Sequence, residues 1–405
     1  MSRLARDGTI RVGMFTGSPV PCKMPIYRAL ATTPSIEFTA VYASSGGLRP
    51  VDEGFAVEHA WDVDLLSGYR SIFLADADRS PALGSSIWSV RDPSIVRVLA
   101  RERFDVLWLE GYNSISYLLA QATQRMLGGH VIFREEQTLL HPRSLAVTVT
   151  KEIALRRLFR GRHALYVSSE NRRWFEHYGV PEERLFSAPH TVDNDAFQAE
   201  AERLRPQGPA LREHFGIAPD DGPVIVTASR LVDKKQPLFL LEAFRRLRRA
   251  HRCALLVAGS GPLEDEMRGA VRRDGIPDVH FAGFLNQREM PGAYACGDVF
   301  TLLSREHETF GLVVPEAMNF ALPIVVSDKV GCHADLVRPG LNGFVVSRSD
   351  PDAAAAALGR LVEDDDLRHR MGERSRARID GWTPQHTVNG VLAAVHHATA
   401  IPGRG

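Results

Sequence analysis

Glu308-Thr309-Phe310-Gly311-Leu312-Val313-Val314-Pro315-Glu316 sets two carboxylates around a Phe-Gly turn, shortly after an apolar run from Val299 to Leu303. The run predicts a strand. Pro315 predicts a helix start, because its fixed φ and missing N–H suit the first turn. Glu308 is therefore expected on a loop at the strand's carboxyl end, and Glu316 in the first turn of the next helix. Backbone N–H groups point outward at such an entry and favour anions. The segment reads as a cradle for a phosphorylated sugar, with amides for phosphate oxygens and carboxylates for hydroxyls. A polar βα loop with a capping Glu is the alternative.

Working outward, the same strand-then-helix pattern repeats along the chain, which predicts α/β architecture with parallel sheets. In the first half, Ile10 to Phe15, Phe38 to Tyr42, Val106 to Leu109, His130 to Phe133 and Ala164 to Val167 read as strands. Helices are expected over Ser114 to Leu127 and Glu170 to Tyr178, the second capped by Ser169. Polar, Pro- and Gly-rich sequence from Asn194 to Gly222 predicts a linker flanked by a short helix. A second series follows: Val224 to Ala228, Ala254 to Ala258, His280 to Ala282, Val299 to Leu303, Ile324 to Ser327 and Gly343 to Val346. Helices are expected near Pro237, Leu263, Gln287, Pro315 and Asp352. Each half can form a doubly wound sheet with its ligand edge at the strands' carboxyl ends.

A chain of 405 residues exceeds a usual single core, so two domains are expected. Lys plus Arg and Asp plus Glu are equal at 49 each, which argues against a nucleic-acid partner. Four scattered cysteines without a CxxC pair suggest neither a zinc site nor a disulfide framework, and fit a reducing cytoplasm. Met1 to Arg11 has no apolar core of signal-peptide type. No run approaches the roughly 18 apolar residues of a membrane span.

Ser229-Arg230-Leu231-Val232-Asp233-Lys234-Lys235 follows a predicted strand, placing Arg230 and Lys235 at the ligand edge. A guanidinium fork and an ammonium point charge are suited to phosphate; a solvated basic turn is the alternative. Gly259-Ser260-Gly261-Pro262 opens a helix after another strand, as a tight turn or a close approach to a base or ribose. Phe281-Ala282-Gly283-Phe284 ends the next strand and reads first as core packing. Arg245 to Arg249 reads as an exposed helix face, and Glu363-Asp364-Asp365-Asp366 as a solvated loop rather than a metal site. His190, His307 and His333 lie near these segments with their roles open. The apolar stretch Arg143 to His163 carries Lys151, Arg156, Arg157, Arg160 and Arg162, and suits either weak contact with anionic lipid or an ordinary basic surface helix.

Together SRLVDKK, GSGPLEDEM, FAGFL, EHETFGLVVPEAM and LVRPGLNGFVV resemble, in order and spacing, the retaining GT-B glycosyltransferases of family 4. FDVLWLEGYNS, VIFREEQT, VSSENRRWFEHYGVP and SAPHTVDNDAF resemble that family's acceptor-side domain more loosely. The resemblance implies two facing Rossmann-like domains with an interdomain cleft. The first spans 1–205 and binds acceptor, joined by a C-terminal helix in 382–405; the second spans 206–381 and binds a nucleotide-sugar.

By the same resemblance, Arg230 and Lys235 contact a diphosphate, Glu316 the ribose hydroxyls and Glu308 the donor sugar. Backbone at Phe310, Gly311, Leu312 and Val313 lies near phosphate or sugar, while Gly259, Gly261, Pro262 and Phe284 line the base. Gly17 joins the donor site, although Thr16 to Pro21 lacks the family's double glycine. Glu110 stands where many members carry a His, so a His-based role does not carry over: either Glu110 is its catalytic replacement or the acceptor differs in kind. The expected reaction is transfer of a hexose-type sugar from a UDP- or GDP-sugar to an acceptor hydroxyl, with retention and without metal or resident cofactor. The alternatives are a sugar phosphorylase, an epimerase or a non-catalytic nucleotide-sugar binder. The expected location is the cytoplasm, at the inner membrane face if the basic stretch binds lipid.

Overall fold

Short apolar runs separated by helices build two all-parallel sheets. The computed structural model describes residues 8–49, 60–79, 90–140, 145–306 and 308–400. The first sheet comprises β1 (Ile10–Thr16), β2 (Ile36–Tyr42), β3 (Arg70–Phe73), β4 (Val106–Leu109), β5 (His130–Glu135), β6 (His163–Tyr166) and β7 (Leu185–Ser187). Its order is β3-β2-β1-β4-β5-β6-β7. The second comprises β8 (Val224–Ala228), β9 (Ala254–Ala258), β10 (Val279–Gly283), β11 (Val299–Leu302), β12 (Ile324–Ser327) and β13 (Gly343–Val346). Its order is β10-β9-β8-β11-β12-β13.

All residues of β4, β8, β9, β11 and β12 are buried, as continuous apolar runs require when helices cover both faces. In β8, Val224, Val226 and Ala228 enter one core and Ile225 the other, following the two-residue alternation of a strand. Chain order reverses between β1 and β4 in one sheet and between β8 and β11 in the other. These reversals create a crevice at the strands' carboxyl ends, where doubly wound sheets bind ligands.

The chain divides into two compact units. The first contains the described residues up to Thr191 apart from 60–62, with the helix Pro384–Ala400; the second contains 60–62 and Val192–Thr383. Sequence reading put the boundary at 205/206. The helix Asn194–Leu204 instead belongs to the second unit. Asp193 caps it by accepting the Ala196 N–H at 3.1 Å. Asn194 Nδ2 donates to the carbonyls of Ile379 and Trp382 at 2.9 and 3.2 Å, and Asn194 Oδ1 accepts from Asn319 Nδ2 at 3.0 Å. Asn194 of that polar stretch is buried in a hydrogen-bond set, whereas most of its other polar residues are exposed.

The returning helix Pro384–Ala400 packs on the first sheet. Thr387 Oγ1 donates to Pro189 O at 2.6 Å. Gly390 permits the approach, since a Cβ there would lie 1.7 Å from Ser187 O. Ser168, rather than Ser169, caps the helix Ser169–His177 by accepting the Asn171 N–H at 3.2 Å. β3 and β7 lack the long apolar runs that identify the other strands, and sequence reading did not find them. No helix among the described residues is long and apolar enough to cross a membrane.

Candidate functional site

The second sheet's reversal lies between β8 and β11, and both flanking loops carry charge. After β8, Val232 accepts the Lys235 N–H at 2.9 Å, shaping the turn Asp233–Lys235. After β11, Glu308 pairs by a backbone bridge with Val330, and its carbonyl accepts the Gly331 N–H at 2.9 Å. Gly331 is required at this approach, because a Cβ would lie 1.9 Å from Thr309 O. The Lys235 ammonium donates to Glu308 Oε2, and the Ser304 hydroxyl donates to the same oxygen at 3.0 Å. The pair is largely buried, with side-chain exposures of 14% and 12%. Burial lowers the Lys234 pKa, as do the adjacent Arg230 and Lys235 charges. Three cationic side chains thus share one sheet edge with a single partly enclosed carboxylate.

Glu316 lies in the first turn of the helix Val313–Asn319, which begins two residues before the expected Pro315. Its Oε2 accepts the Tyr294 hydroxyl at 2.7 Å. Burial raises its pKa from the ordinary 4.5 to about 7, against the opposing Tyr294 hydrogen bond. Near neutrality the carboxyl is therefore shared between its acid and anion, and a hydroxyl donor would favour the anion. Phe310 is buried with its ring stacked on Trp382 at 6.4 Å between centroids, so any ligand contact there uses backbone. Gly311 takes φ +92°, leading from the Glu308 loop into the helix. Leu312 and Val313 are partly buried against the core.

Gly259 and Gly261 close the same edge after β9. Gly259 has φ +133°, and its Cβ position would lie 2.0 Å from Ser229 O. Leu231 N–H donates to Ser260 O at 2.9 Å, and Leu263 N–H to Leu231 O at 3.0 Å. The basic loop after β8 is thus stitched to Gly259-Ser260-Gly261-Pro262. Gly283 O accepts the Gly259 N–H at 2.7 Å, which brings Phe284 to the adjoining loop.

The first sheet has a parallel arrangement at its own reversal. Gly17 follows β1, and its carbonyl accepts the Ser44 N–H at 2.7 Å. Glu110 follows β4, with its N–H donating to Phe15 O at 3.0 Å. The Glu110 carboxylate is 5% exposed and accepts from Lys23 Nζ. It also accepts from Arg134 Nη1 at 3.1 and 3.2 Å. Burial alone would raise the Glu110 pKa; Arg134 and Lys23 outweigh it and hold the carboxyl below its ordinary value. Arg134 continues to Ala188 O and His190 Nδ1, each at 3.3 Å, and His190 Nε2 lies 2.8 Å from Glu136. Burial with the Glu136 and Glu110 charges pushes neighbouring Glu135 up to about 8. Glu110 is therefore the hub of a charge-paired network.

Sequence reading missed Ser304, Tyr294, Lys23 and Arg134. Ser304 lies four residues before Glu308 and was within reach of the motif; the other three come from distant elements. His190 joins the Arg134 network, whereas His333 Nδ1 lies 2.8 Å from Val330 O in a local turn. His307 lies outside the described residues, as do Arg143 and Ser144 of the basic stretch. In the acidic run, Asp364 caps a helix through the Leu367 N–H at 2.8 Å, and Asp365 pairs with Arg368. Among the described residues no group of three His, Cys, Asp or Glu side chains is placed to hold a metal ion.

Residues 209–378 match the family model described as glycosyl transferases group 1. Alpha-D-kanosaminyltransferase from Streptomyces kanamyceticus is 30% identical over 198 residues, 48% of this chain and 50% of that protein. The chain thus spans about half the length of that relative. A GDP-mannose-dependent alpha-(1-6)-phosphatidylinositol monomannoside mannosyltransferase from Mycobacterium tuberculosis is 27% identical over 341 residues, 79% of this chain and 86% of that protein. Among solved structures, a glycosyltransferase from Rickettsia africae aligns with TM-score 0.74 and 13% identity over 96% of this chain and 99% of that one. Anabaena HepE in complex with UDP and glucose aligns with TM-score 0.70 and 17% identity over 97% and 100%. The chain has the GT-B fold, and its residues 209–378 match the glycosyl transferases group 1 family model.

Proposed function

We propose that this chain transfers a hexose-type sugar from a nucleoside-diphosphate sugar, UDP- or GDP-linked, to an acceptor hydroxyl with retention of configuration. The observation that carries the reading is the Lys235–Glu308 pair across the β8/β11 reversal, with Arg230 and Lys234 close by. A diphosphate entering this edge competes for Lys235 and releases Glu308 to accept hydroxyls of the transferred sugar. Arg230 supplies a fork for phosphate oxygens. Glu316, held by Tyr294, accepts from the ribose diol. The glycine turns at Gly259 and Gly261 give the base a close backbone approach, with Phe284 beside it. Support comes from the UDP and glucose held by the HepE structure and the GDP-mannose dependence of the mycobacterial relative.

The chemical demand is charge on the departing diphosphate oxygen. Fixed cations aimed at that oxygen lower the barrier, and one well-placed donor is commonly worth about 3 kcal/mol. Lys235 and Arg230 meet this demand without a metal. We assign Glu110 a positioning role in the acceptor-side unit, since both its oxygens are occupied by Lys23 and Arg134. Transfer from UDP- and GDP-sugars to a panel of acceptor alcohols, run in excess EDTA, tests the reading. Lys235→Ala and Glu316→Ala are expected to abolish turnover with the fold retained. Near-normal transfer by both variants would overturn the site, and strict dependence on added divalent metal would overturn the metal-free step.

A further inference from the structure

The opposite edge of the first sheet, where its strands begin, gathers cations that the proposed transfer does not use. Arg162 and Arg184 immediately precede β6 and β7, which are neighbours in register through Ala164 and Leu185. Arg125 lies in the last turn of the helix Ile115–Met126, which leads into β5. Arg184 Nη1 donates to Gly161 O, which fixes its guanidinium beside Arg162. Among the described residues the buried Arg162 Nε finds no hydrogen-bond partner. His163 Nε2 lies 2.9 Å from His397 Nδ1, tying β6 to the returning helix Pro384–Ala400.

Among the described residues none of the three guanidiniums forms an ion pair. Asp105 accepts the Arg11 N–H at 2.8 Å and faces His130, and Glu182, in the same turn as Arg184, pairs with Arg172. Burial and Arg162 lower the Arg125 pKa, while burial and Arg184 lower that of Arg162. Burial, then Arg184, His397 and His130, depress His163 to about 4, so it is neutral at physiological pH. Mutual repulsion and an unmade buried donor both raise the energy of the empty cluster. A tetrahedral oxyanion offers several acceptors at once to guanidinium forks, which relieves both costs. Arg125 is exposed, and Arg162 and Arg184 are half-buried, so an anion can enter from solvent.

We propose that Arg125, Arg162 and Arg184, beside the His163–His397 pair, form a phosphate-binding site at the amino-terminal edge of the first sheet. The shared chemistry is a phosphate group, either free in solution or on an anionic lipid. Occupation would brace β6, β7 and the returning helix together.

The test uses the full chain carrying Lys235→Ala, which weakens phosphate capture at the proposed donor site, so that the effect of the substitutions below reads the second site. Equilibrium dialysis against labelled inorganic phosphate at fixed ionic strength measures the free form. Flotation with phosphatidylglycerol or phosphatidylcholine vesicles measures the lipid form. Arg125→Gln combined with Arg162→Gln is expected to weaken binding at least about ten-fold, the effect of losing charged hydrogen bonds, with Arg162→Lys recovering part of it. Thermal melting confirms that the variants fold. Phosphate binding sensitive to these substitutions supports a free-anion site, and sensitivity confined to phosphatidylglycerol vesicles supports a headgroup site. Binding unaffected by them, or absent in both assays, overturns the proposal.

Discussion

Both sheets place a Lys–Glu pair at the point where strand order reverses, yet the two pairs are built for different work. In the first unit Lys23 meets Glu110 across the β1/β4 reversal; in the second Lys235 meets Glu308 across β8/β11. Glu110 gains a second cation in Arg134, itself 2% exposed, and the chain of contacts runs on to His190 and Glu136. Among the described residues Glu308 gains the Ser304 hydroxyl alone, while further cations gather nearby. Two cations meet the buried Glu110 carboxylate at one reversal, whereas Lys235, Lys234 and Arg230 gather around Glu308 at the other. The same topology supplies a structural anchor in one unit and a candidate donor site in the other.

The largest effect that could break this contrast is on stability. Glu110→Ala leaves Lys23 and Arg134 without the carboxylate they share and is expected to cost about 3–5 kcal/mol in chemical denaturation. Lys235→Ala leaves Glu308 with Ser304 and access to water, and is expected to cost only about 1–2 kcal/mol. Equal costs would erase the distinction. Next come the glycines that follow each reversal. Gly111 and Gly311 have φ +142° and +92°, and a Cβ on either would lie 2.9 Å from a neighbouring side chain. Alanine at either is expected to cost about 1–3 kcal/mol. Only Gly311→Ala should also weaken nucleoside-diphosphate binding; an equal loss from Gly111→Ala would contradict the assignment.

The smallest effect concerns protons. The Glu316 pKa is raised from 4.5 to about 7, so its stabilising contribution is present below 4.5 and is lost as pH rises through about 7. A ribose diol needs the anion, so UDP or GDP binding should tighten over the same rise and release a proton. Calorimetry in buffers of different ionisation enthalpy reads that release, and Glu316→Gln should abolish it. Release unchanged in the variant would remove Glu316 from the binding step.

The contrast also explains what the sequence disclosed. The second unit's candidate site is written in contiguous loops: Arg230 to Lys235, Gly259 to Pro262 and Glu308 to Glu316 each follow an apolar strand. The chemistry is local, so the pattern is legible. The first unit's network joins residues 23, 110, 134, 136 and 190, whose proximity depends on sheet order and which no local spacing announces. Glu110 alone looked like a replacement catalyst because its cationic partners lie on other elements. The same reason hid Tyr294 behind Glu316. Strand positions were clear wherever a buried apolar run required one, and failed at β3 and β7, whose residues are mostly half-buried. The Asn194 helix reads as a linker because most of its polar residues are exposed; it docks through Asn194 and Gln198, and composition cannot distinguish a buried amide from a solvated one.

The division of roles is tested most directly by calorimetric titration of UDP and GDP into the unmodified chain, Lys235→Ala and Glu110→Gln. At least one nucleotide should bind the unmodified chain. Lys235→Ala should weaken it by at least about ten-fold, as loss of a charge-assisted phosphate contact requires, while Glu110→Gln leaves the affinity unchanged. Undiminished binding by Lys235→Ala, or a comparable loss in Glu110→Gln, would contradict the account.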